Sequence, residues 1–282
     1  MSRLSRPARL TERGGGGAAL GAAGAADADG LRVAVRHEPV TGPSSPEREG
    51  LLAAPERERR DRLLRPADRA AYTAAHALVR ECAAELLGVP AAALDLKQTC
   101  SACGGAGHGR PALVGHPEVG VSLSHTDGHV AAIAAVQVAT VPDATVPDAL
   151  VPLAAPGRSA APPSAPAVGI DVERVREVPD AVLTARERAW VAAAPDPHAA
   201  ATSLWVRKEA LVKAGALELT QLGGCDVLDT DALGDDGPAS AALGHALRGW
   251  SGDGVVGAWS VPEVGPRRPG AGQSKSKIEF RS

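Results

Sequence analysis

A proline- and alanine-rich stretch at residues 139–167 most constrains how this chain can fold. The pentapeptide Thr-Val-Pro-Asp-Ala stands at residues 140–144 and again at 145–149, and further prolines follow. Proline removes a backbone donor, and a stretch with so few large apolar residues cannot build a packed core. The stretch is therefore predicted to be a linker or insertion. It separates two halves of ordinary domain size, residues 31–138 and 168–263.

Both ends of the chain are predicted to be disordered tails. Residues 1–30 are rich in Gly and Ala without usable periodicity, and residues 264–282 are polar. The early arginines followed by Gly and Ala faintly imitate a secretory signal. The Gly/Ala centre is too weakly hydrophobic for one, so a flexible leader is the better interpretation.

Between these segments, helical and strand patterns alternate. Apolar spacing predicts one helix around residues 72–86 and another over 199–214, and Thr184 with Glu187 forms a capping box that opens a helix ending near Pro195. Alternating or continuously apolar runs predict strands at 31–36, 119–124, 130–138, 168–172 and 255–261. The prediction is a mixed α+β protein.

Composition excludes several classes of function. The net charge of −3 arises from well-mixed charges, so no global field favours nucleic acid or a membrane surface. No apolar run is long enough to span a bilayer. Four cysteines are too few for a disulfide scaffold in 282 residues, and a reducing cytoplasm is expected.

The first candidate site is the acidic strand Gly169-Ile-Asp-Val-Glu173. Alternation along a strand points Asp171 and Glu173 to one face, about 6.6 Å apart, and Ile170 and Val172 to the other. Two such carboxylates can close around a hard cation such as Mg²⁺. Alternatively, they are two solvated acids on an exposed strand.

The second candidate is the helical segment Trp205-Val-Arg-Lys-Glu-Ala-Leu-Val-Lys213. Glu209 and Lys213 are four residues apart and share a helix face, so they could form an ordinary surface pair. A third carboxylate and a lysine are also what a metal-bound pyrophosphate would need.

Two further segments carry groups that could bind phosphate. Ser122-Leu-Ser-His125 closes a predicted strand with hydroxyls and an imidazole, although such a histidine could be structural. Gly109-Arg-Pro111 is predicted to be a tight turn that displays the cation of Arg110.

These four segments, in this order, resemble the Sfp-type 4′-phosphopantetheinyl transferases over roughly residues 31–262. The G-I-D-V-E strand and the W-x-x-K-E-A-x-x-K-A helix are the diagnostic pair of that family. The resemblance implies two similar α/β halves related by a pseudo-twofold axis, with coenzyme A between them. It also implies Mg²⁺-dependent transfer of 4′-phosphopantetheine to a serine of an apo acyl or peptidyl carrier protein, leaving adenosine 3′,5′-bisphosphate.

The resemblance also assigns roles to individual residues. Asp171, Glu173 and Glu209 are the expected magnesium ligands, with Glu209 and Lys213 catalytic and Glu209 the general base, directly or through a water. The expected coenzyme A ligands are Arg57, Arg60, Arg69, Arg110, Ser124, His125, Asp171, Lys208 and Lys213. A monomer that binds neither nucleic acid nor membrane is expected.

Three alternatives accompany this interpretation. Cys100 and Cys103 with His108 and His116 have nearly the spacing of a zinc site, but the glycines among them favour a loose loop without metal. A Mg²⁺-dependent hydrolase of a nucleotide pyrophosphate would use the same carboxylates. A degenerate relative would bind coenzyme A or a carrier without turnover.

Overall fold

The computed structural model describes residues 30–100, 103–105, 107, 109–138, 164–228 and 240–263. The predictions for residues 1–29, for 139–163 of the insertion and for 264–282 fall outside these ranges. Within them the chain is a mixed α/β protein, as expected. Every helix in the described ranges is too short or too polar to cross a bilayer.

Nine strands and five α-helices make up the described fold. The strands are β1 (Leu31–Pro39), β2 (Leu96–Thr99), β3 (Arg110–Leu113), β4 (Val119–Thr126), β5 (His129–Gln137), β6 (Gly169–Arg174), β7 (Ser240–Ala242), β8 (His245–Gly252) and β9 (Val255–Pro262). The helices are α1 (Pro46–Gly50), α2 (Ala54–Asp61), α3 (Pro66–Leu87), α4 (Ala185–Ala192) and α5 (Pro197–Ala214).

The N-terminal half packs α3 against an antiparallel sheet in the order β1-β5-β4. Helix α3 begins six residues before the predicted start, because Pro66 at its first position needs no helical N–H. Gly88 ends it in the left-handed conformation. Small buried side chains, such as Ala75 and Cys82, let the helix lie close to the alanine-rich strand β5.

The C-terminal half packs α5 against a second antiparallel sheet in the order β6-β9-β8-β7. The side chain of Asp196 caps the N-terminus of α5, Pro197 occupies its first turn, and Gly215 ends it in the left-handed conformation. The predicted capping box of Thr184 and Glu187 is present at α4. This helix ends at Ala192, three residues before the predicted end.

The two halves repeat one arrangement of elements. Each begins with a strand and ends in a hairpin whose last strand pairs with the first. Between them the N-terminal half has the short helices α1 and α2 before the long α3, and the C-terminal half has the short α4 before the long α5. In each half a buried glutamate of a short helix pairs with a buried cation of the long one, Glu56 with Arg80 and Glu187 with Lys208. This shared pattern is consistent with two similar halves.

Side chains from both sheets form a core at the junction of the halves. Ala131 and Ile133 of β5 cluster there with Ile170 and Val172 of β6. His37 of β1 and Trp250 of β8 stack with ring centroids 4.6 Å apart. The halves therefore meet through packed side chains from β1, β5, β6 and β8.

The His37 stack should make stability depend on pH. Burial lowers the pKa of His37 to about 4, and the nearby ring of His129 adds to the effect. The folded state disfavours the charged imidazole. The free energy of unfolding therefore has its full value above the ordinary histidine pKa of about 6.5 and decreases as the pH falls from there to 4.

The measurement is the melting temperature of wild type and His37→Phe between pH 7 and pH 4. The melting temperature of wild type should fall more between these pH values than that of His37→Phe. His198→Phe, which removes an exposed imidazole from α5, should behave as wild type does. Equal losses in wild type and His37→Phe would contradict the assignment.

Candidate active site

Strand β6 places two carboxylates on one face. Asp171 is buried and Glu173 is half-buried, while the side chains of Ile170 and Val172 pack into the core at the junction of the halves. The acids are thus displayed on a rigid strand paired along its length with β9. The alternative of two freely solvated acids does not hold for Asp171, which is only 4% exposed.

Helix α5 brings Glu209 and Lys213 to the same strand. The Lys213 ammonium contacts Asp171 Oδ1 at 2.7 Å. Gly169 makes this approach possible, since a Cβ built there would lie 1.9 Å from the carbonyl oxygen of Ala210 on α5. The glycine of the acidic motif therefore has a packing role that its position in the motif did not reveal.

Replacing Gly169 by alanine should damage both the fold and the site. The added methyl group must push α5 away from β6, a form of overpacking that costs about 1–3 kcal/mol of unfolding free energy. It would also separate Lys213 from Asp171. Urea unfolding measures the first effect, and Mn²⁺ binding measures the second.

Gly252→Ala is the matched control for this change. Gly252 is also a strand glycine, but a Cβ built there meets nothing within 4 Å. If Gly169→Ala were as stable as this control and bound Mn²⁺ equally well, the close approach of α5 to β6 would be wrong.

Three acidic side chains act on one another electrostatically. Burial raises the pKa of Glu209, the negative charge of Asp171 raises it further, and the ammonium of Lys213 opposes both. Burial likewise raises the pKa of Glu173, with the charge of Asp171 as the next cause. The site concentrates negative charge, which Lys213 and Arg176, whose guanidinium lies 3.7 Å from Glu173 Oε1, offset only in part.

Asp171, Glu173 and Glu209 supply carboxylate oxygens, the ligand type that a hard divalent cation prefers. Among the described residues no group of three His, Cys, Asp or Glu side chains lies close enough to hold a metal ion, and Lys213 pairs with Asp171 instead. However, Asp171 Oδ2 is buried and has no hydrogen-bond partner within the described ranges. A buried carboxylate oxygen without a partner is costly, and a cation shared with Glu173 and Glu209 would relieve that cost.

Strand β4 lies beside β6 and contributes hydroxyl groups to the acids. Ser124 Oγ donates to Asp171 Oδ1 at 2.8 Å, and Thr126 Oγ1 donates to Glu173 Oε2 at 3.3 Å. The imidazole of His125, between them in sequence, faces an open cleft. Burial lowers the pKa of His125, and the charge of Lys213 lowers it further.

The cleft beside His125 has a volume of about 550 Å³. The cations that line it are Arg59 and Arg65, and the rings of Tyr72 and His76 stack at 4.0 Å in its wall. Sequence reasoning missed both arginines. The segment holds many arginines, and spacing alone does not tell which ones face a cleft.

The predicted arginines Arg57, Arg60 and Arg69 do not line this cleft. Arg57 donates to the carbonyl of Leu52, Arg60 pairs with Asp61, and Arg69 donates to the carbonyl of Leu63. Each anchors the backbone or a neighbouring acid around α2.

Arg110 does not stand in a free turn, contrary to the prediction. It begins β3, which pairs with β2, and the left-handed conformation of Gly109 precedes it. Its guanidinium donates to the carbonyl of Lys213 at 2.9 Å and packs against Gly215. Arg110 therefore ties the end of α5 to the N-terminal half.

The structure argues against Lys208 as a coenzyme A ligand. Its side chain is 0% exposed, and the ammonium donates to Glu187 at 2.6 Å and to the carbonyls of Val182 and Leu222. An ammonium has three donors, so none remains for a phosphate. We therefore drop Lys208 from the set of candidate ligands.

Cys100 and Cys103 lie in the connection between β2 and β3. His108 falls outside the described residues, so the prediction that this loop binds no zinc stays a prediction.

Part of the C-terminal half is similar to a known protein family. Residues 167–255 match the 4′-phosphopantetheinyl transferase superfamily. The matched segment begins just before β6, contains all of α5 and reaches the start of β9, so it includes Asp171, Glu173, Glu209 and Lys213. No curated protein matches the chain significantly. The resemblance is thus confirmed at the level of the superfamily, over these residues, while the Sfp-type assignment stays a prediction.

Proposed function

We propose that this protein transfers the 4′-phosphopantetheine group of coenzyme A to a serine of an apo acyl or peptidyl carrier protein. The proposal is carried by the contact of Lys213 on α5 with Asp171 on β6, beside Glu173 and Glu209, whose pKa values the charge of Asp171 raises. All four lie in the segment that matches the 4′-phosphopantetheinyl transferase superfamily. The Sfp-type subfamily and Mg²⁺ as the metal belong to the same proposal.

Asp171, Glu173 and Glu209 would hold the magnesium ion. When bound, the ion would neutralise charge on the pyrophosphate of coenzyme A and on the departing nucleotide. Lys213 would add a compact positive charge on the same side. The arrangement suits phosphoryl transfer, in which positioning and charge neutralisation do most of the work.

Glu209 would act as the general base. The hydroxyl oxygen of the carrier serine attacks the phosphorus that bears the pantetheine arm, and its proton passes to the Glu209 carboxylate. The bond from that phosphorus to the bridging pyrophosphate oxygen breaks, which releases adenosine 3′,5′-bisphosphate. Burial and the charge of Asp171 raise the pKa of Glu209 towards the working pH, which suits this role.

The cleft beside β4 would hold the nucleotide. His125, Arg59 and Arg65 line it and can contact phosphate oxygens, and Tyr72 offers an aromatic face. This set replaces Arg57, Arg60 and Arg69 as the proposed cations. Coenzyme A would then run from the N-terminal half to the acids of the C-terminal half, across two halves related by a pseudo-twofold axis.

The test is intact-mass spectrometry of apo carrier proteins after incubation with the enzyme, coenzyme A and Mg²⁺. The expected result is a gain of one phosphopantetheine arm on the carrier, abolished by EDTA and restored by added Mg²⁺. Release of adenosine 3′,5′-bisphosphate without any carrier would instead identify a pyrophosphate hydrolase. Binding of coenzyme A without either reaction would identify a non-catalytic relative.

A further inference from the structure

The hydroxyl side chains of β4 form a ladder across the junction of the two halves. Ser122, Ser124 and Thr126 alternate along the strand and face β6. Ser122 Oγ accepts from the backbone N–H of Ile170 at 3.2 Å, and the other two hydroxyls donate to the acids. One strand of the N-terminal half therefore contacts both carboxylates that β6 displays.

Ser124 cannot donate a hydrogen bond to a phosphate and to Asp171 at the same time. A serine hydroxyl has one hydrogen, and Ser124 Oγ gives it to Asp171 Oδ1 at 2.8 Å. The remaining lone pairs of the hydroxyl can only accept hydrogen bonds, and the oxygens of an ionised phosphate are acceptors too, so the two cannot pair. Ser124 is also buried, and it does not line the cleft that His125 faces.

The same carboxylate oxygen receives two contacts. Ser124 Oγ and Lys213 Nζ both contact Asp171 Oδ1, at 2.8 and 2.7 Å. Together they hold that oxygen towards β4 and α5. The second oxygen, Oδ2, is thereby left buried without a partner in the described ranges. Two anchors on one oxygen fix the rotation of the carboxylate and leave the other oxygen for a cation.

We propose that Ser124 and Thr126 are positioning residues, by which the N-terminal half orients the metal-binding carboxylates Asp171 and Glu173 of the C-terminal half. This inference rests on the proposed function for the identity of the cation site, and it reassigns Ser124 from coenzyme A to Asp171. Outer hydrogen bonds of this kind hold a ligand in its binding geometry, and their loss typically weakens metal binding about 10–100-fold.

The experiment is a Mn²⁺ titration followed by electron paramagnetic resonance, in the presence of adenosine 3′,5′-bisphosphate. Ser124→Ala should weaken Mn²⁺ binding about 10–100-fold, and Thr126→Val should weaken it less because its hydrogen bond to Glu173 is longer. Calorimetry in EDTA should show that Ser124→Ala binds adenosine 3′,5′-bisphosphate as wild type does; Thr126 also lines the cleft, so Thr126→Val is compared by Mn²⁺ affinity alone. A merely structural role would not separate metal affinity from nucleotide affinity.

Ser260→Ala is the matched control. Ser260 is a buried serine of β9 whose hydroxyl donates to the carbonyl of Ala210 at 3.2 Å rather than to an acid. This variant should bind Mn²⁺ as wild type does, which separates the loss of a buried hydroxyl from the loss of a carboxylate anchor.

The outcomes separate the inference from the proposed function. Wild type that binds Mn²⁺ more tightly than Ser124→Ala but modifies no carrier would leave the inference standing and overturn the function. Transfer by wild type, with Mn²⁺ bound equally by Ser124→Ala, would overturn the inference alone. Weaker binding of adenosine 3′,5′-bisphosphate to Ser124→Ala than to wild type in EDTA would identify Ser124 as a phosphate ligand and overturn the inference. Absence of Mn²⁺ binding in wild type would overturn it as well.

Discussion

Glu209→Gln is expected to reduce transfer to an apo carrier about 10²–10⁴-fold, the usual contribution of a general base. The amide cannot accept the serine proton, and the proposed cation loses one of its charged ligands. The substitution should not lower the stability of the folded protein. Burial and the negative charge of Asp171 both disfavour a carboxylate at this position, so the neutral amide removes a repulsion. The melting temperature should equal or exceed that of wild type.

The measurement combines intact-mass assays of transfer with thermal unfolding. Glu177→Gln, at an exposed position in the same half, should retain both wild-type activity and stability. Turnover by Glu209→Gln within a few-fold of wild type would remove Glu209 from the mechanism. A large drop in melting temperature would show that Glu209 has a structural role instead.

Lys208→Met should have the largest effect on stability. It leaves the carboxylate of Glu187, which is 0% exposed, without its cation. Breaking a buried pair from one side costs about 3–5 kcal/mol. The two carbonyls of Val182 and Leu222 also lose their donor. Equilibrium unfolding in urea measures the loss, and Lys97→Met, which removes an exposed lysine of β2, should cost little.

Two further variants keep this prediction testable if Lys208→Met does not fold. Lys208→Arg retains a cation in a larger side chain and should be destabilised less. Lys208→Met combined with Glu187→Gln should regain part of the loss, since no unpaired charge remains buried. A stable Lys208→Met protein that binds adenosine 3′,5′-bisphosphate weakly would instead return Lys208 to the nucleotide site.

The long elements and the acidic strand could be read from the sequence because strong local signals mark them. The capping box at Thr184, the apolar period of α5 and the alternation in β6 each follow from local geometry. Strands β2, β3, β7 and β8 were not predicted as strands. Their stability comes from pairing with neighbours, which no local pattern reveals.

The candidate site was predictable where residues share one element, and less so where the contact crosses the fold. Asp171 with Glu173, and Glu209 with Lys213, follow from strand and helix periodicity. The identity of the cleft-lining arginines, the burial of Lys208 and the bond from Ser124 to Asp171 depend on tertiary packing. Lys208, next to Glu209 in the motif, was predicted to bind coenzyme A. Adjacent residues of a helix point in different directions, and Lys208 is buried in the core.

The central claim is that Asp171, Glu173 and Glu209 share one divalent cation. The most direct measurement is anomalous diffraction from crystals of the protein grown with Mn²⁺ and coenzyme A. We expect one manganese peak with an oxygen of each of the three carboxylates at about 2–2.5 Å. A peak elsewhere, or no peak in a preparation that modifies a carrier, would contradict the account.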